Sequence, residues 1–191
     1  MTIQAEPTTS AVTVCVERAR AAMSEFADAT QDEVDAAVTA IAWSIYKPEN
    51  ARSLAELAVS DTGLGNVPDK IVKNQRKTFG TLRDLLRAKT VGVIEDDPDT
   101  GLTKYAKPVG VVAAITPSTN PAATPMNKAM MAVKGGNAVV IAASPSGYKT
   151  TEAAAALARE ELAKIGAPID LVQVLPPPVS RAVTEELMVA A

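Results

Sequence analysis

The sequence predicts an α/β fold in which N-terminal helices and a β arm lead into half of a doubly wound parallel sheet. Three observations carry this. Residues 10–87 repeat apolar side chains at helical spacing. Residues 91–107 switch to short strand-like runs split by the turn-rich stretch DDPDTG. Residues 108–175 then alternate continuous apolar runs with helix-forming stretches, the pattern of strands buried on both faces and joined by crossover helices. The division expected is a helical segment over 1–90, a β arm over 91–107 that is a candidate for oligomerisation, and a partial α/β domain over 108–191.

Taken in order, residues 1–9 are polar with Pro7 and are expected to fray. Across 10–26, Val12, Val16, Ala19, Met23 and Phe26 recur at steps of three and four, an amphipathic helix that leaves Arg18, Arg20 and Glu25 to water. Cys15 lies on it, and a lone helix cysteine with only Arg18 nearby reads as a small buried hydrophobe rather than a nucleophile. Thr30 followed by Glu33 has capping-box form before the face Val34, Val38, Ile41, Ile45, and Pro48 blocks continuation. A third helix over 49–61 carries Leu54, Leu57 and Ala58, with Gly63 placed for a left-handed cap. The fourth, 68–87, is expected to bury Ile71, Phe79, Leu82 and Leu86, while Lys70, Lys73, Arg76 and Lys77 form a solvated basic face or, alternatively, an anion site.

The arm follows as a strand over 91–94, a turn, and a half-exposed strand over 102–107, either a local hairpin or an edge that pairs with another subunit. The centre of the chain is PVGVVAAITPSTNPAATPMNKAMMAVKGGNAVVIAASP, residues 108–145. Its runs 109–115 and 138–142 read as parallel strands, residues 124–134 as a helix with Met126, Met130 and Val133 inward, and Gly135 and Gly136 as its stop. An Ala-rich helix over 149–164, a third strand over 171–175, a stiff Pro176-Pro177-Pro178 loop and a helix from 179 complete the half sheet.

Composition narrows the chemistry. Hydrophobic content of 47% with 21% charge describes an ordinary globular core, and 3% aromatics make it one of Ala, Val and Leu. A net charge of −3 gives no footprint for nucleic acid or an anionic membrane. No apolar run nears the roughly 20 residues of a membrane-spanning helix, so the expected location is cytoplasmic. One cysteine and no histidine rule out an internal disulfide, a cysteine metal cluster and any Ser/His/Asp or Cys/His arrangement within the chain, and no metal site is expected.

No Gly-x-Gly-x-x-Gly or Gly-x-x-x-x-Gly-Lys-Ser/Thr loop occurs. The loop Thr116-Pro117-Ser118-Thr119-Asn120-Pro121 is placed at the carboxyl end of the first parallel strand, where open α/β sheets bind ligands. It offers backbone groups beside a helix N-terminus, two hydroxyls and a carboxamide able to donate to an oxyanion. By spacing alone it is equally a capped turn.

The run KPVGVVAAITPSTNPAATPMNKAMMAVKGGNAVVIAASPSG resembles the opening of the cofactor domain in the aldehyde dehydrogenase superfamily, and specifically its CoA-acylating branch, where a Thr-Asn-Pro turn and a later Ser-Pro are typical. The resemblance spans 10–191. It implies that Ile115, Thr116, Pro117, Ser118, Thr119 and Asn120 line the nicotinamide and ribose end of an NAD cleft, that Ala143, Ser144 and Pro145 lie near the adenosine end, and that Asn120 is the oxyanion-hole amide. Ala142 and Ala143 stand where non-acylating relatives place a ribose-side lysine, which argues for NAD over NADP. Family members continue through the rest of the cofactor sheet and a separate domain that carries the nucleophilic cysteine, which Cys15 does not match.

The reading implied is an N-terminal segment of an NAD-dependent CoA-acylating aldehyde dehydrogenase, inactive alone. In the complete enzyme a cysteine thiolate attacks a small aldehyde, hydride passes to NAD, and CoA accepts the acyl group. Short aliphatic and sulfonated aldehydes both suit. The implied partner is the missing C-terminal half or a full-length relative in a homo- or hetero-oligomer, with aggregation of the isolated half sheet expected. The alternative is a non-catalytic binding or assembly module that pairs with a full-length relative. An encapsulation signal in the first helix is a lesser alternative to its packing in the core.

Overall fold

Ser10 accepts a hydrogen bond from the Thr13 amide and opens the first helix of the computed structural model, which describes residues 10–191. The fraying expected of residues 1–9 lies outside the described part. Four helices come first: α1 (Ala11–Glu25), α2 (Gln31–Tyr46), α3 (Pro48–Thr62) and α4 (Val67–Leu85). Their boundaries have local causes. Thr30 and Glu33 form a reciprocal capping box on α2, and Asn66 caps α4 through Asp69. Pro48 stands at the first turn of α3, where its missing N–H costs nothing, and Gly63 ends that helix at φ 67°.

α4 turns a different face inward from the one its hydrophobic residues suggest. Lys70, Asn74 and Thr78 are buried, whereas Phe79 is 54% exposed and Leu86 43%. Ile71 and Leu82 are half-buried. The reason is that α4 packs on backbone-rich neighbours: the Asn74 carboxamide donates to the Ala51 carbonyl of α3 at 3.1 Å. Lys70 also finds a backbone acceptor, the Thr119 carbonyl, whereas the buried Thr78 hydroxyl has no partner among the described residues.

The arm is a two-stranded antiparallel hairpin, β1 (Val93–Asp97) with β2 (Leu102–Tyr105). Asp97 accepts from the amides of Asp99 and Thr100 and from the Thr100 hydroxyl, which closes the turn. The alternating burial expected of the second strand is not found, since every residue of β2 is exposed. A hairpin with neither face covered has no inside.

The second sheet is parallel, in the order β3 (Val111–Thr116), β4 (Ala138–Ala143), β5 (Val172–Val174). Val111 pairs with Ala138 and Thr116 with Ala143, so these two strands end level. The crossovers are α5 (Ala123–Lys134) and α6 (Tyr148–Lys164), which pack under α2, and the other face of the sheet carries α1 and α7 (Arg181–Ala190). β4 is buried at every residue, as its continuous apolar run requires. The first strand starts later than the run at 109 suggests. The Asn137 carboxamide oxygen takes the amides of Val109 and Gly110 at 2.7 and 3.0 Å, and Gly110 sits at φ 129°. Val109 is left 88% exposed. Cys15 is buried on α1 beside the sheet, and burial pushes its thiol pKa up. No described helix is long and apolar enough to cross a membrane.

Candidate functional site

Because β3 and β4 end level, the loops that leave them are neighbours. The Ser144 amide donates to the Thr116 carbonyl at 3.2 Å and fastens one loop to the other. Residues 145–147 form a short 3-10 turn, and Gly147 lies so close that a Cβ there would come within 2.8 Å of the Pro121 ring and 3.5 Å of the Ser118 backbone. The structure thus brings residues 115–120 and 143–145 together at the carboxyl ends of the strands, the edge at which open α/β sheets bind ligands.

The individual residues differ in what they present. Thr116 is buried and its hydroxyl has no hydrogen-bond partner among the described residues. Pro117 and Thr119 are exposed, and Ser118 and Asn120 are half-buried. Ile115 is 48% exposed. Ala143 is buried and presents only backbone, while Ser144 is half-buried and Pro145 exposed. Asn120 accepts the Thr124 amide through its backbone carbonyl at 3.2 Å. Its carboxamide forms no hydrogen bond among the described residues, and α5 carries no side-chain cap. The turn is therefore not closed by the asparagine side chain, which leaves both amide protons for something else.

The loop is held from below. Thr151, in the first turn of α6, donates its hydroxyl to the Pro121 carbonyl at 2.8 Å. Next to it, the amide and hydroxyl of Thr150 both donate to Asp61 at 3.1 Å, which ties α6 to the end of α3. From α4, the Lys70 ammonium donates to the Thr119 carbonyl at 3.2 Å, and Lys70 is only 6% exposed. Burial, with the charge of Lys73, holds its pKa below the ordinary lysine value.

Thus Lys70 does not share the solvated face expected of the basic cluster, whereas Lys73, Arg76 and Lys77 are exposed. The sequence signal for it was its phase: Lys70, Asn74 and Thr78 lie at steps of four on the inward stripe. Gly147 and Thr151 carried no such signal, because their roles depend on a loop 26 and 30 positions away. A depression of about 680 Å³ lies at the opposite end of the sheet, lined by Phe26, Pro108, Val111 and Gly136. It gathers no ionisable cluster. Among the described residues, no group of three or more His, Cys, Asp or Glu side chains could hold a metal ion.

A parallel sheet of three strands with a polar loop at its carboxyl ends, preceded by four helices and an exposed hairpin, defines part of an open α/β domain. The comparisons with known proteins give the family. The model described as "Aldehyde dehydrogenase family" matches residues 2–191, and the chain belongs to that family. It is 56% identical to the acylating sulfoacetaldehyde dehydrogenase of Cupriavidus necator over 96% of this chain and 37% of that protein. It is 38% identical to the acetylating succinate-semialdehyde dehydrogenase of Clostridium kluyveri, over 92% of this chain and 38% of that protein. The solved acetylating aldehyde dehydrogenase of Geobacillus thermoglucosidasius superposes with a TM-score of 0.87 at 40% identity, covering 93% of this chain and 38% of that one. These relatives are of the acylating branch, and the chain spans well under half of their length, matching only their N-terminal part.

Proposed function

We propose that this chain is the N-terminal segment of an NAD-dependent, CoA-acylating aldehyde dehydrogenase, supplying one wall of the cofactor cleft and the oxyanion-binding amide. The observation that carries this is the Asn120 carboxamide, unpartnered among the described residues and held at the strand ends in a chain 56% identical to an acylating enzyme. As an aldehyde carbonyl becomes tetrahedral its oxygen gains negative charge, and an amide fixed beforehand stabilises that charge without reorganising. The backbone bond to Thr124 and the clamp on Pro121 provide that fixity.

The residues present fit a dinucleotide: Thr116 has a buried hydroxyl without a partner among the described residues, and Ser118, Thr119 and Ser144 offer more at the same strand ends. Thr116, Ser118, Thr119 and Ser144 would hold NAD through hydroxyl and backbone groups, with Ile115, Pro117, Ala143 and Pro145 as apolar walls. NAD, when bound, supplies the two-electron acceptor. CoA is the acyl acceptor in this reading, and the cytoplasm, where both are abundant, is its place.

The chain's one cysteine, Cys15, is buried on α1, so the reading makes the chain inactive until the remainder of such an enzyme joins it. The division into 1–90, 91–107 and 108–191 is part of the same reading. A second reading, an assembly module that pairs with a full-length relative, draws on the arm: Leu102 and Tyr105 are each 61% exposed on an uncovered hairpin.

The test is NADH formation from sulfoacetaldehyde, CoA and NAD by the chain alone and by the chain joined to the C-terminal remainder of the C. necator enzyme. Turnover is expected only from the joined protein, with Asn120→Ala lowering kcat on the order of 100-fold or more. Turnover by the chain alone would overturn the reading. Failure of the joined protein, with the chain instead co-purifying with a full-length relative through its arm, would establish the second.

A further inference from the structure

Lys70 is a buried cation whose company is wrong for a purely structural lysine. Its one hydrogen bond among the described residues goes to a neutral carbonyl, that of Thr119. No described carboxylate lies within ion-pair distance of it, whereas the other deeply buried lysine, Lys134, is paired with Asp35. The acids nearest along the chain are committed elsewhere: Asp69 to Asn66, and Asp61 to Thr150. Lys73, one residue short of a turn away, adds a second positive charge rather than relief. A buried ammonium without a counter-ion among the described residues is costly; it is relieved either by losing its proton or by a bound anion.

Its position says which anion. The carbonyl that Lys70 touches belongs to the peptide between Thr119 and Asn120, so the ammonium is bonded to the backbone of the loop that carries the carboxamide proposed to receive the aldehyde oxygen. Its stem passes close to the turn before α4, since a Cβ added at Gly65 would meet Cε at 3.5 Å. A substrate with its carbonyl oxygen at Asn120 and an anionic group two or three bonds farther along would bring that group toward Lys70. The two named relatives act, by their descriptions, on sulfoacetaldehyde and on succinate semialdehyde. One bears a sulfonate two bonds from the carbonyl carbon and the other a carboxylate three bonds away.

We propose that Lys70 binds the anionic end of the aldehyde, so that the substrate class is short aldehydes with a terminal sulfonate or carboxylate rather than neutral alkanals. This deepens the reading of the preceding subsection and rests on it for the identity of the ligand as a substrate.

Two measurements test it. In the first, the 191-residue chain is titrated with isethionate, a sulfonate with no aldehyde, while the lysine side-chain signals are followed by NMR, with ethylene glycol as the neutral control. A saturable response of the Lys70 signal to isethionate alone, absent in Lys70→Met, is expected; no response, or an equal one in Lys70→Met, overturns the proposal. In the second, the joined protein described above is assayed with sulfoacetaldehyde and with propionaldehyde. Lys70→Met is expected to lower the ratio of kcat/KM for the anionic over the neutral aldehyde by about 10-fold or more, the size of a lost hydrogen bond to a charged group. Lys70→Arg should recover part of that ratio. A variant that slows both aldehydes equally would show a lysine that only props the Thr119 carbonyl or pairs with the enzyme's remainder, and would overturn the proposal while leaving the acylating activity standing. Isethionate binding at Lys70 without turnover in the joined protein would support the anion site and count against the enzymatic reading.

Discussion

The hydroxyl of Thr151 donates to the carbonyl of Pro121 at 2.8 Å, with both residues buried. This one bond joins the first turn of the second crossover helix to the loop that carries Asn120. It also explains how a loop with two prolines and no side-chain cap keeps one conformation. Proline donates no hydrogen bond, so the loop must be held through its carbonyls. Thr151→Val keeps the shape of the side chain and removes the donor, which leaves a buried carbonyl unpaired. The expected cost is about 1–3 kcal/mol, read as a lower urea midpoint with an unchanged slope.

Gly147 makes the complementary contact. Its φ is −125°, which any residue adopts, so the constraint is space and not backbone conformation. A Cβ would stand 2.8 Å from Cβ of Pro121, a ring atom with nowhere to turn. Gly147→Ala should therefore destabilise by about 1–3 kcal/mol through overpacking and push the Asn120 loop away from the end of β4. Gly80→Ala, inside α4 with nothing within 4 Å of the added carbon, is the contrast, and should raise stability by roughly 0.5–1 kcal/mol. Thermal melts of the two variants side by side would separate crowding at the loop from the general effect of adding a methyl group.

These two contacts mark where the sequence stops being legible. Elements set by local chemistry could be read directly: the Thr30 capping box, the Gly63 cap, and the β4 run whose every residue is buried. The loop 116–121 could be placed at a strand end because strand and helix periods change there. What holds the loop could not be read, since Thr151, Gly147 and Lys70 reach it from distant positions and each has an ordinary local role. The inward face of α4 was misjudged for a related reason: hydrophobic count favours Phe79 and Leu86, whereas Asn74 is drawn in by an acceptor on α3 that no local pattern reveals. The strand expected at 109 failed likewise, because Asn137, 27 positions beyond Gly110, captures the amides that would have begun it.

Lys134 is 2% exposed at the end of α5 and is neutralised by Asp35 of α2, which also accepts from Gln31. Gln31 in turn takes the amides of Thr90 and Val91, so the pair sits in a network that fixes where the chain leaves the helices for the arm. Asp35→Asn strands the ammonium in the core. The expected loss is about 3 kcal/mol, the lower end for a broken buried pair because Asp35 keeps 26% of its side chain in water. Lys134→Met combined with Asp35→Asn should recover most of that loss, since no charge is then left buried. If the double variant is no more stable than Asp35→Asn alone in denaturant titrations, the pair contributes by packing and not by neutralisation.

Stability in acid should depend on Glu161, whose side chain is 12% exposed. Hydrogen bonds from Lys164 and Lys47 hold its pKa below the ordinary glutamate value of 4.5. A carboxylate with a depressed folded-state pKa contributes stability that is present above the unfolded value and is lost as pH falls through the folded one. The window is therefore pH 4.5 and below, and the contribution is constant toward neutrality. Lys47 reports the same contact from the other side: its pKa is raised, chiefly by the hydrogen bond to Glu161, so its share is present below 10.5 and is lost as pH rises through the higher folded value. Glu161→Gln removes both limbs. In urea titrations across pH, the variant should be less stable than the parent at pH 7, and the gap should close as pH drops below 4.5. A gap of the same size at the lowest pH would mean that Glu161 acts through its hydrogen-bonding shape and not its charge, and that the link from α3 to α6 near Lys47 survives protonation.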